Sequence, residues 1–440
     1  MTVPQRTMAV HRPGAVHEFR GLRTADHRFT VPLRPAEPDG ETLEVFAREY
    51  TRGGLTQEQR DGLPWLLFFQ GGPGFPGNRW AGLSGWAKAA TDHFRVLMLD
   101  QRGTGLSSPV EAKSLAARGD AAAQAEYLSH FRHDSIVADA EAIRESLGVA
   151  QWSVFGQSFG GWCSLAYLSR APQALREVLI TGGLAPLQGS PDRVYRATFA
   201  RMEARNREYF SWYPEDRALV NRIAAHLRAV PEHLPRGERL TVERFQMLGM
   251  YLGGNTRVDS LHHLLEKALI TTPDGERLSD WFLAQLPAYV DFAPNPLYAV
   301  VHESIYAQQE ATRWSAARVQ QEFPQFSPDA EDLLLTGEMI HPWLFAQDPT
   351  LTPLTEVAEL LAAKEDWPRV FDLDVLATNT VPVAAAVYAD DVFVDHDLSL
   401  ETAAAVRRLQ TWVTPDFHHD GIADDGEAIF RRLLAMARGE

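Results

Sequence analysis

A serine in a tight glycine turn is the first candidate for chemistry in the 440-residue sequence. The segment Gly156-Gln157-Ser158-Phe159-Gly160 follows an apolar run, Trp152 to Phe155, and precedes a helical pattern. Glycine neighbours relieve the crowding of a sharp strand-to-helix turn, which holds the serine hydroxyl out at the edge of a sheet. The helix also directs its positive end at a developing negative charge. This context predicts that Ser158 is a nucleophile rather than an incidental serine in a tight turn.

A second glycine-rich segment, Gly71 to Gly77, follows the apolar run Trp65 to Phe69 and has two interpretations. Gly72-x-Gly74-x-x-Gly77 matches a dinucleotide-binding fingerprint, and Asp100 stands at the end of the next predicted strand, where a ribose-binding acid is expected. In the alternative, backbone N–H groups of this loop form an oxyanion hole together with the N–H of Phe159.

Two prolines in this loop favour the oxyanion hole. Pro73 and Pro76 remove two amide donors from a loop that would have to bind a pyrophosphate, and no amphipathic helix begins at Gly77. The oxyanion hole also explains both glycine motifs with a single site.

A nucleophilic serine needs a base and an orienting acid, which we expect after it in the order acid, then histidine. The apolar run Val381 to Tyr388 ends in Ala389-Asp390-Asp391, and Asp416-Phe417-His418-His419 follows a later run. Both sets follow the carboxyl end of a predicted strand, where sites on α/β sheets assemble. We prefer Asp391 to Asp390 and Asp395, and His419 to His418, but spacing alone leaves these choices open.

The pattern of apolar runs predicts an α/β protein with a mostly parallel sheet that is interrupted once. Short apolar runs alternate with helical patterns up to about residue 186, and they return after residue 367. Between these limits, amphipathic helical patterns and prolines replace the strands. We therefore predict a catalytic core in two parts, 1–186 and 368–440, and a helical cap insertion at 187–367.

The composition of the chain excludes some classes of binding partner and some kinds of site. The 42 basic and 58 acidic residues give a net charge of −16, which argues against nucleic acid and anionic membranes as partners. The one cysteine, Cys163, excludes internal disulfides and multi-cysteine zinc sites, and it follows the serine turn, where we expect it to pack.

His262 and His263 lack the spacing of a helical metal pair, so we expect no metal. The first residues contain no apolar run, so we expect a cytoplasmic protein.

Several motifs occur in the order known from one enzyme family. They are Gly71-Gly72-Pro73-Gly74, Asp100-x-Arg102-Gly103-x-Gly105-x-Ser107, Gly156-Gln157-Ser158-Phe159-Gly160-Gly161 and the loops that contain Asp391 and His419. With them the chain resembles the proline iminopeptidases, or prolyl aminopeptidases, which are α/β-hydrolase serine peptidases. The resemblance covers nearly the whole chain after the first thirty residues and is closest to the longer bacterial form with an enlarged helical cap.

The resemblance implies an α/β-hydrolase fold and the removal of N-terminal proline from small peptides without a metal or cofactor. By this likeness Ser158 is the nucleophile, His419 the base and Asp391 its orienting acid. Gly71 and Gly72 then form the oxyanion hole with Phe159. Many relatives carry a histidine before the Gly-Gly-Pro-Gly segment, where this chain has Gln70.

Members of the family also bind the free amine of the substrate with glutamates of the cap, in a segment of the form E-x-x-Y. Glu303 in Glu303-Ser304-Ile305-Tyr306 matches and is the first candidate, and Glu338 is the second. A carboxylate at the closed end of a pocket would pair with the imino group and confine cleavage to the first residue.

Two other functions remain open at this stage. An esterase or amidase of the same fold would act on a different acyl group. A non-catalytic ligand receptor could also be built on a hydrolase fold, because a fold does not determine a function. The sequence makes no prediction of the oligomeric state.

Overall fold

A nine-stranded sheet runs through the computed structural model, which describes residues 9–440. Residues 1–8, from which the expectation of a cytoplasmic protein was drawn, lie outside the described part. The strands are β1 (Val10–Phe19), β2 (Leu22–Pro32), β3 (Thr42–Arg52), β4 (Trp65–Phe69), β5 (Arg95–Asp100), β6 (Trp152–Gln157), β7 (Leu175–Thr181), β8 (Glu232–His233), β9 (Arg239–Leu240), β10 (Leu269–Thr272), β11 (Gly275–Leu278), β12 (Val383–Tyr388) and β13 (Leu409–Thr414).

Helices connect and cover these strands. The α-helices are α1 (Gln57–Asp61), α2 (Gly85–Thr91), α3 (Ala112–Ala116), α4 (Ala121–Leu128), α5 (His133–Ser146), α6 (Phe159–Arg170), α7 (Pro191–Trp212), α8 (Pro214–Ala229), α9 (Val242–Gln246), α10 (Arg257–Leu265), α11 (Asp280–Gln285), α12 (Pro287–Val290), α13 (Pro296–Val301), α14 (Ser315–Gln320), α15 (Pro342–Gln347), α16 (Thr355–Ala363), α17 (Leu373–Ala377), α18 (His396–Ala405) and α19 (Gly421–Arg438). Short 3-10 helices span Pro172–Ala174, Met247–Gly253, Glu303–Tyr306, Pro324–Phe326 and Thr352–Leu354. No helix among residues 9–440 is long and apolar enough to cross a bilayer.

The sheet order is β1-β2-β3-β5-β4-β6-β7-β12-β13. The first three strands and the β3–β5 pair are antiparallel, and every later pair is parallel. The strands β4, β5, β6, β7 and β12 are almost completely buried, which is why the sequence shows them as continuous apolar runs. The predicted mostly parallel α/β sheet is thus confirmed.

Helices cover both faces of the sheet. On one face α2 and α19 pack together over the central strands, where Trp86 stacks on Phe68 at 4.5 Å and also contacts Phe430. On the other face lie α5 and α6 and, above them, the elements between β7 and β12. Cys163 on α6 is fully buried in this second layer.

The segment 187–367, called the cap below, lies between β7 and β12. It is mainly helical but contains two small hairpins, β8–β9 and β10–β11, that the sequence pattern did not indicate. After β12, the helix α18 ends at Ala405, and Arg408, with a left-handed φ of 62°, leads directly into the edge strand β13.

Two polar side chains hold the ends of the cap to each other and to the core. The Gln308 amide donates to the carbonyl of Leu187 at 3.0 Å and accepts from the N–H of Val370 at 3.0 Å, so it joins the chain entering the cap to the chain leaving it. The fully buried Arg132 of the core donates to the carbonyls of Ser304, Ala307 and Pro368. These contacts fix the cap segment that contains Glu303.

The turn after β5 contains a buried arginine that ties several elements together. Arg102 is buried and makes a bidentate ion pair with Asp139 of α5 at 2.8 and 2.6 Å. It also donates to the carbonyls of Leu33, His130 and Pro32. This one guanidinium therefore links β2, the turn after β5, and α5.

We predict that Arg102→Ala destabilises the protein by about 3–5 kcal/mol, because Asp139 would remain buried without its counter-charge. The matched control is Arg34→Ala, which breaks the solvent-exposed Arg34–Glu126 pair and should cost less than about 1 kcal/mol. Urea unfolding of both variants measures the difference. Equal, small losses would contradict a structural role for Arg102.

Candidate active site

The turn between β6 and α6 holds Ser158 in a strained backbone conformation. Its φ of 54° and ψ of −123° are uncommon for a residue with a side chain. The flanking glycines are required by space, because a Cβ on Gly160 would overlap the carbonyl oxygen of Phe69, and one on Gly156 would overlap that of Gly160. The sharp turn predicted from the glycine spacing is therefore present, with Ser158 immediately before the first residue of α6.

His419 and Asp391 form a buried hydrogen-bonded pair. The Nδ1 atom of His419 lies 2.9 Å from Oδ2 and 3.1 Å from Oδ1 of Asp391. The Oδ1 atom of Asp391 also accepts the backbone N–H groups of Phe393 and Val394, which fix the carboxylate. Since a carboxylate only accepts, Nδ1 of His419 is the donor, and Nε2 of the neutral ring is left as an acceptor.

The alternative residues do not join this pair. The ring of His418 makes its hydrogen bond to the backbone carbonyl of Asp390 at 3.0 Å, and the Asp390 carboxylate is exposed. Asp395 caps α18 through the N–H groups of Asp397 and Leu398. The structure thus brings together Asp391 and His419, and not their neighbours.

Two glycines after β7 allow the serine turn to approach this pair. The N–H of Ser158 donates to the carbonyl of Thr181, the last residue of β7. A Cβ on Gly182 would lie 3.4 Å from Oδ2 of Asp391 and 3.5 Å from Nδ1 of His419, and one on Gly183 would lie 2.5 Å from the carbonyl oxygen of Ser158. The sequence analysis missed these glycines, although two adjacent glycines after a predicted strand were the available signal.

The glycine loop after β4 lies against the same turn. A Cβ on Gly71 would lie 3.1 Å from the Cβ of Ser158, and Gly72 has a φ of 134°, which favours glycine. Within residues 9–440 the N–H groups of Gly72 and Phe159 donate to no protein acceptor. These two amides are available to an oxyanion. At Gln70 the backbone carbonyl accepts the Gln101 amide at 2.9 Å, so this position supports the loop.

The dinucleotide interpretation does not fit this loop. The chain after Gly77 forms no helix until α2 begins at Gly85, so no helix N-terminus is directed at a pyrophosphate. The carboxylate of Asp100 is already used, because Oδ1 accepts the N–H of Gly77 at 3.0 Å and Oδ2 accepts that of Leu106 at 2.9 Å.

Glu338 lies on the cap side of the site, in the wall of a cavity of about 290 Å³. Tyr298 donates to its carboxylate at 3.0 Å, and the ring of Tyr298 packs at 5.3 Å on Phe75 of the glycine loop. Burial raises the pKa of Glu338 to about 7, although the nearby His419 acts to lower it. Glu338 is thus a carboxylate that interacts with both the cavity and His419.

Charges around His419 determine its basicity. Burial acts to lower its pKa, but the carboxylate of Asp391, and after it those of Glu338 and Asp420, raise the pKa to about 9. Glu338 and His419 therefore stabilise each other's charged forms.

Glu303 lies in a more closed environment. Its Oε1 accepts the N–H of Ala316 at 2.8 Å, while Oε2 is buried without a partner in the described structure. The space beside it measures about 10 Å³, room for about one water. Both glutamates raise the pKa of Tyr306 after the larger effect of burial, so both lie near this tyrosine. Of the two candidates, Glu338 lines the larger cavity and Glu303 lines the smaller one.

The chain is similar to several known proteins. Residues 64–231 match a family model described as "alpha/beta hydrolase fold". The chain is 47% identical to a proline iminopeptidase of Aeromonas sobria over 95% of this chain and 97% of that one. It is 35% identical to a proline iminopeptidase of Aspergillus aculeatus over 94% of this chain and 93% of that one. A solved proline iminopeptidase of Mycobacterium smegmatis, 14% identical, aligns with 93% of this chain and 97% of that one at a TM-score of 0.43.

Identity of 47% that extends over nearly the full length of both chains confirms the resemblance seen in the sequence motifs. The chain therefore belongs to the proline iminopeptidase family of α/β hydrolases.

Proposed function

We propose that this hydrolase is a serine exopeptidase that releases N-terminal proline from small peptides through an acyl-enzyme on Ser158. The observation that carries the proposal is the His419–Asp391 pair next to the strained Ser158 turn, together with a cavity lined by Glu338, whose carboxylate interacts with His419. The two near-full-length relatives are both named proline iminopeptidases, which supports proline as the released residue.

The chemistry follows from the positions of these groups. Nε2 of His419 takes the proton of the Ser158 hydroxyl as its oxygen attacks the prolyl carbonyl carbon. The N–H groups of Gly72 and Phe159, with Gly71 completing the loop, stabilise the resulting oxyanion. His419 then returns the proton to the leaving amine. A water activated in the same way hydrolyses the ester and releases proline.

Glu338 restricts cleavage to the N-terminal residue of the peptide. The imino group of an N-terminal proline is cationic, and a carboxylate within the cavity can pair with it. A residue with a further peptide bond on its nitrogen has no such charge, and burying Glu338 against it would leave the carboxylate unpaired. Glu303, which also lies near Tyr306, remains a second candidate for this pairing.

Ser158→Ala should lower kcat on prolyl 4-nitroanilide by about 10⁴-fold or more, because the nucleophile is lost while the fold is kept. Ser164→Ala is the matched control, since Ser164 is a buried serine of α6, the helix that follows Ser158, and its hydroxyl donates to the Gly160 carbonyl. Circular dichroism checks the fold of both. Substantial turnover by Ser158→Ala would show that the reaction uses another nucleophile, and failure of a serine-directed inhibitor to label the wild type would favour a receptor.

Glu338→Gln should lower kcat/KM on prolyl 4-nitroanilide roughly 10- to 100-fold, the cost of one hydrogen bond to a charged group. A 4-nitrophenyl ester without an amine should lose much less. The same pair of substrates assayed with Glu303→Gln reports which glutamate pairs with the imino group. Equal losses on both substrates with both variants would favour an esterase that does not recognise the amine.

The pH profile tests the coupling of Glu338 to His419. A base acts in its neutral form, so kcat/KM on the neutral ester should rise with pH toward the His419 pKa of about 9. Glu338→Gln removes a negative charge that raises this pKa, so its acid limb should shift to lower pH. Glu303→Gln is the control, since Glu303 is not among the charges that act on His419. An unshifted limb in Glu338→Gln would contradict the coupling.

A further inference from the structure

The cavity beside Glu338 contains a cation that the proposed mechanism does not use. Arg257, the first residue of α10, lines this cavity together with Glu338 and with aromatic and apolar side chains that include Phe75, Tyr298 and Met250. Among the residues that form its wall, Arg257 is the one with a positive charge. A cation and a carboxylate in one small cavity predict a ligand that carries both charges.

Arg257 is held by an ion pair rather than by a hydrogen bond, because Oδ2 of Asp420 has no hydrogen-bond partner in the described structure. Its Nε lies 2.7 Å from Oδ2 of Asp420, the residue after His419. In the described residues its two terminal nitrogens make no hydrogen bond, and the side chain is 53% exposed. A guanidinium offers five N–H donors in a fixed fork, so the four on the terminal nitrogens are free for a second carboxylate.

The other acid of the cavity wall is already paired. Asp291 forms an ion pair with Arg236 at 2.5 Å, and its second oxygen accepts the N–H of Ala293. Glu338, in contrast, receives one hydrogen bond from a neutral tyrosine. Within the described residues, the cavity wall therefore offers Glu338, whose carboxylate accepts from Tyr298, and Arg257, whose terminal nitrogens stay unused beside its ion pair with Asp420.

The two charged side chains differ in their exposure to solvent. Burial is the largest influence on the pKa of Glu338, whereas more than half of the Arg257 side chain is exposed to solvent. A ligand would thus place its cationic end inward and its anionic end at the mouth. A short peptide with a free N-terminal proline and a free carboxylate has this polarity.

We propose that Arg257 binds the C-terminal carboxylate of short prolyl peptides and so makes the enzyme favour di- and tripeptides. This inference rests on the proposed function, because it takes Glu338 as the partner of the imino group. The cavity volume of about 290 Å³ fits a small ligand, since it lies just below the roughly 300–1,000 Å³ typical of small-molecule sites. A longer peptide would carry its carboxylate past the mouth and lose this contact.

The competing role of Arg257 is structural. Through Asp420 it joins the cap to the loop that contains His419, and Asp420 also donates its N–H to the carbonyl of Gly253 in the cap. If this tie were the whole role, loss of Arg257 would affect every substrate alike. Asp420→Asn weakens the tie but keeps the guanidinium, so it separates the two roles.

The test compares prolylglycine with prolylglycinamide, which differ only in the terminal carboxylate. In the wild type, kcat/KM should be higher for prolylglycine, mainly through KM. Arg257→Gln should lower the ratio of the two kcat/KM values about 10- to 100-fold, the range expected for hydrogen bonds to a charged group. The control is Arg222→Gln, which removes an exposed cap arginine paired with Glu276, and it should keep the wild-type ratio.

The outcomes are distinct. Cleavage of both dipeptides at the same kcat/KM, or an unchanged ratio in Arg257→Gln, would overturn the inference. An unchanged ratio in Asp420→Asn together with a lowered ratio in Arg257→Gln would support it. Cleavage of neither dipeptide nor of prolyl 4-nitroanilide would instead contradict the proposed function itself.

Discussion

The hydrogen bond between Nδ1 of His419 and the Asp391 carboxylate is the interaction on which the rest of the site depends. It leaves Nε2 as the proton acceptor, and it exists only because β12 and β13 are parallel neighbours whose ends, Tyr388 and Thr414, lie in register. β12 in turn pairs with β7, which precedes the cap. After the cap, β12 must therefore pair with β7, and β13 with β12, before Asp391 and His419 can form their hydrogen bond.

The cap is coupled to this pair by charge as well as by packing. Gln308 joins the two ends of the cap, Arg132 holds the segment that contains Ser304 and Ala307, and Tyr298 packs against Phe75 of the glycine loop. Glu338 then raises the basicity of His419 while His419 favours the ionised form of Glu338. A bound imino cation would partly neutralise Glu338, so substrate recognition and base strength are linked through one carboxylate. Substrate binding is thus expected to make His419 a less protonated, more available base.

Sequence analysis predicted the parts of this molecule that depend on local pattern. The central strands are buried on both faces and appear as apolar runs, and the glycines around Ser158 are imposed by a sharp turn. The antiparallel hairpin β1–β2 was missed, because β1 is exposed and its residues are mostly polar or small. Three other features depend on long-range packing. They are the choice between Asp390 and Asp391, the different cavities beside Glu338 and Glu303, and the presence of Arg257 in the cavity wall. No local spacing encodes those contacts.

The central claim is that Ser158 becomes acylated by proline, and trapping the intermediate tests it most directly. Wild-type enzyme mixed with a prolyl 4-nitrophenyl ester and quenched in acid within milliseconds should carry one added prolyl group, located by mass spectrometry of a protease digest on the peptide that contains Ser158. His419→Ala should accumulate no such adduct under the same conditions. A prolyl group on a different residue, or rapid turnover with no covalent adduct at any quench time, would contradict the account.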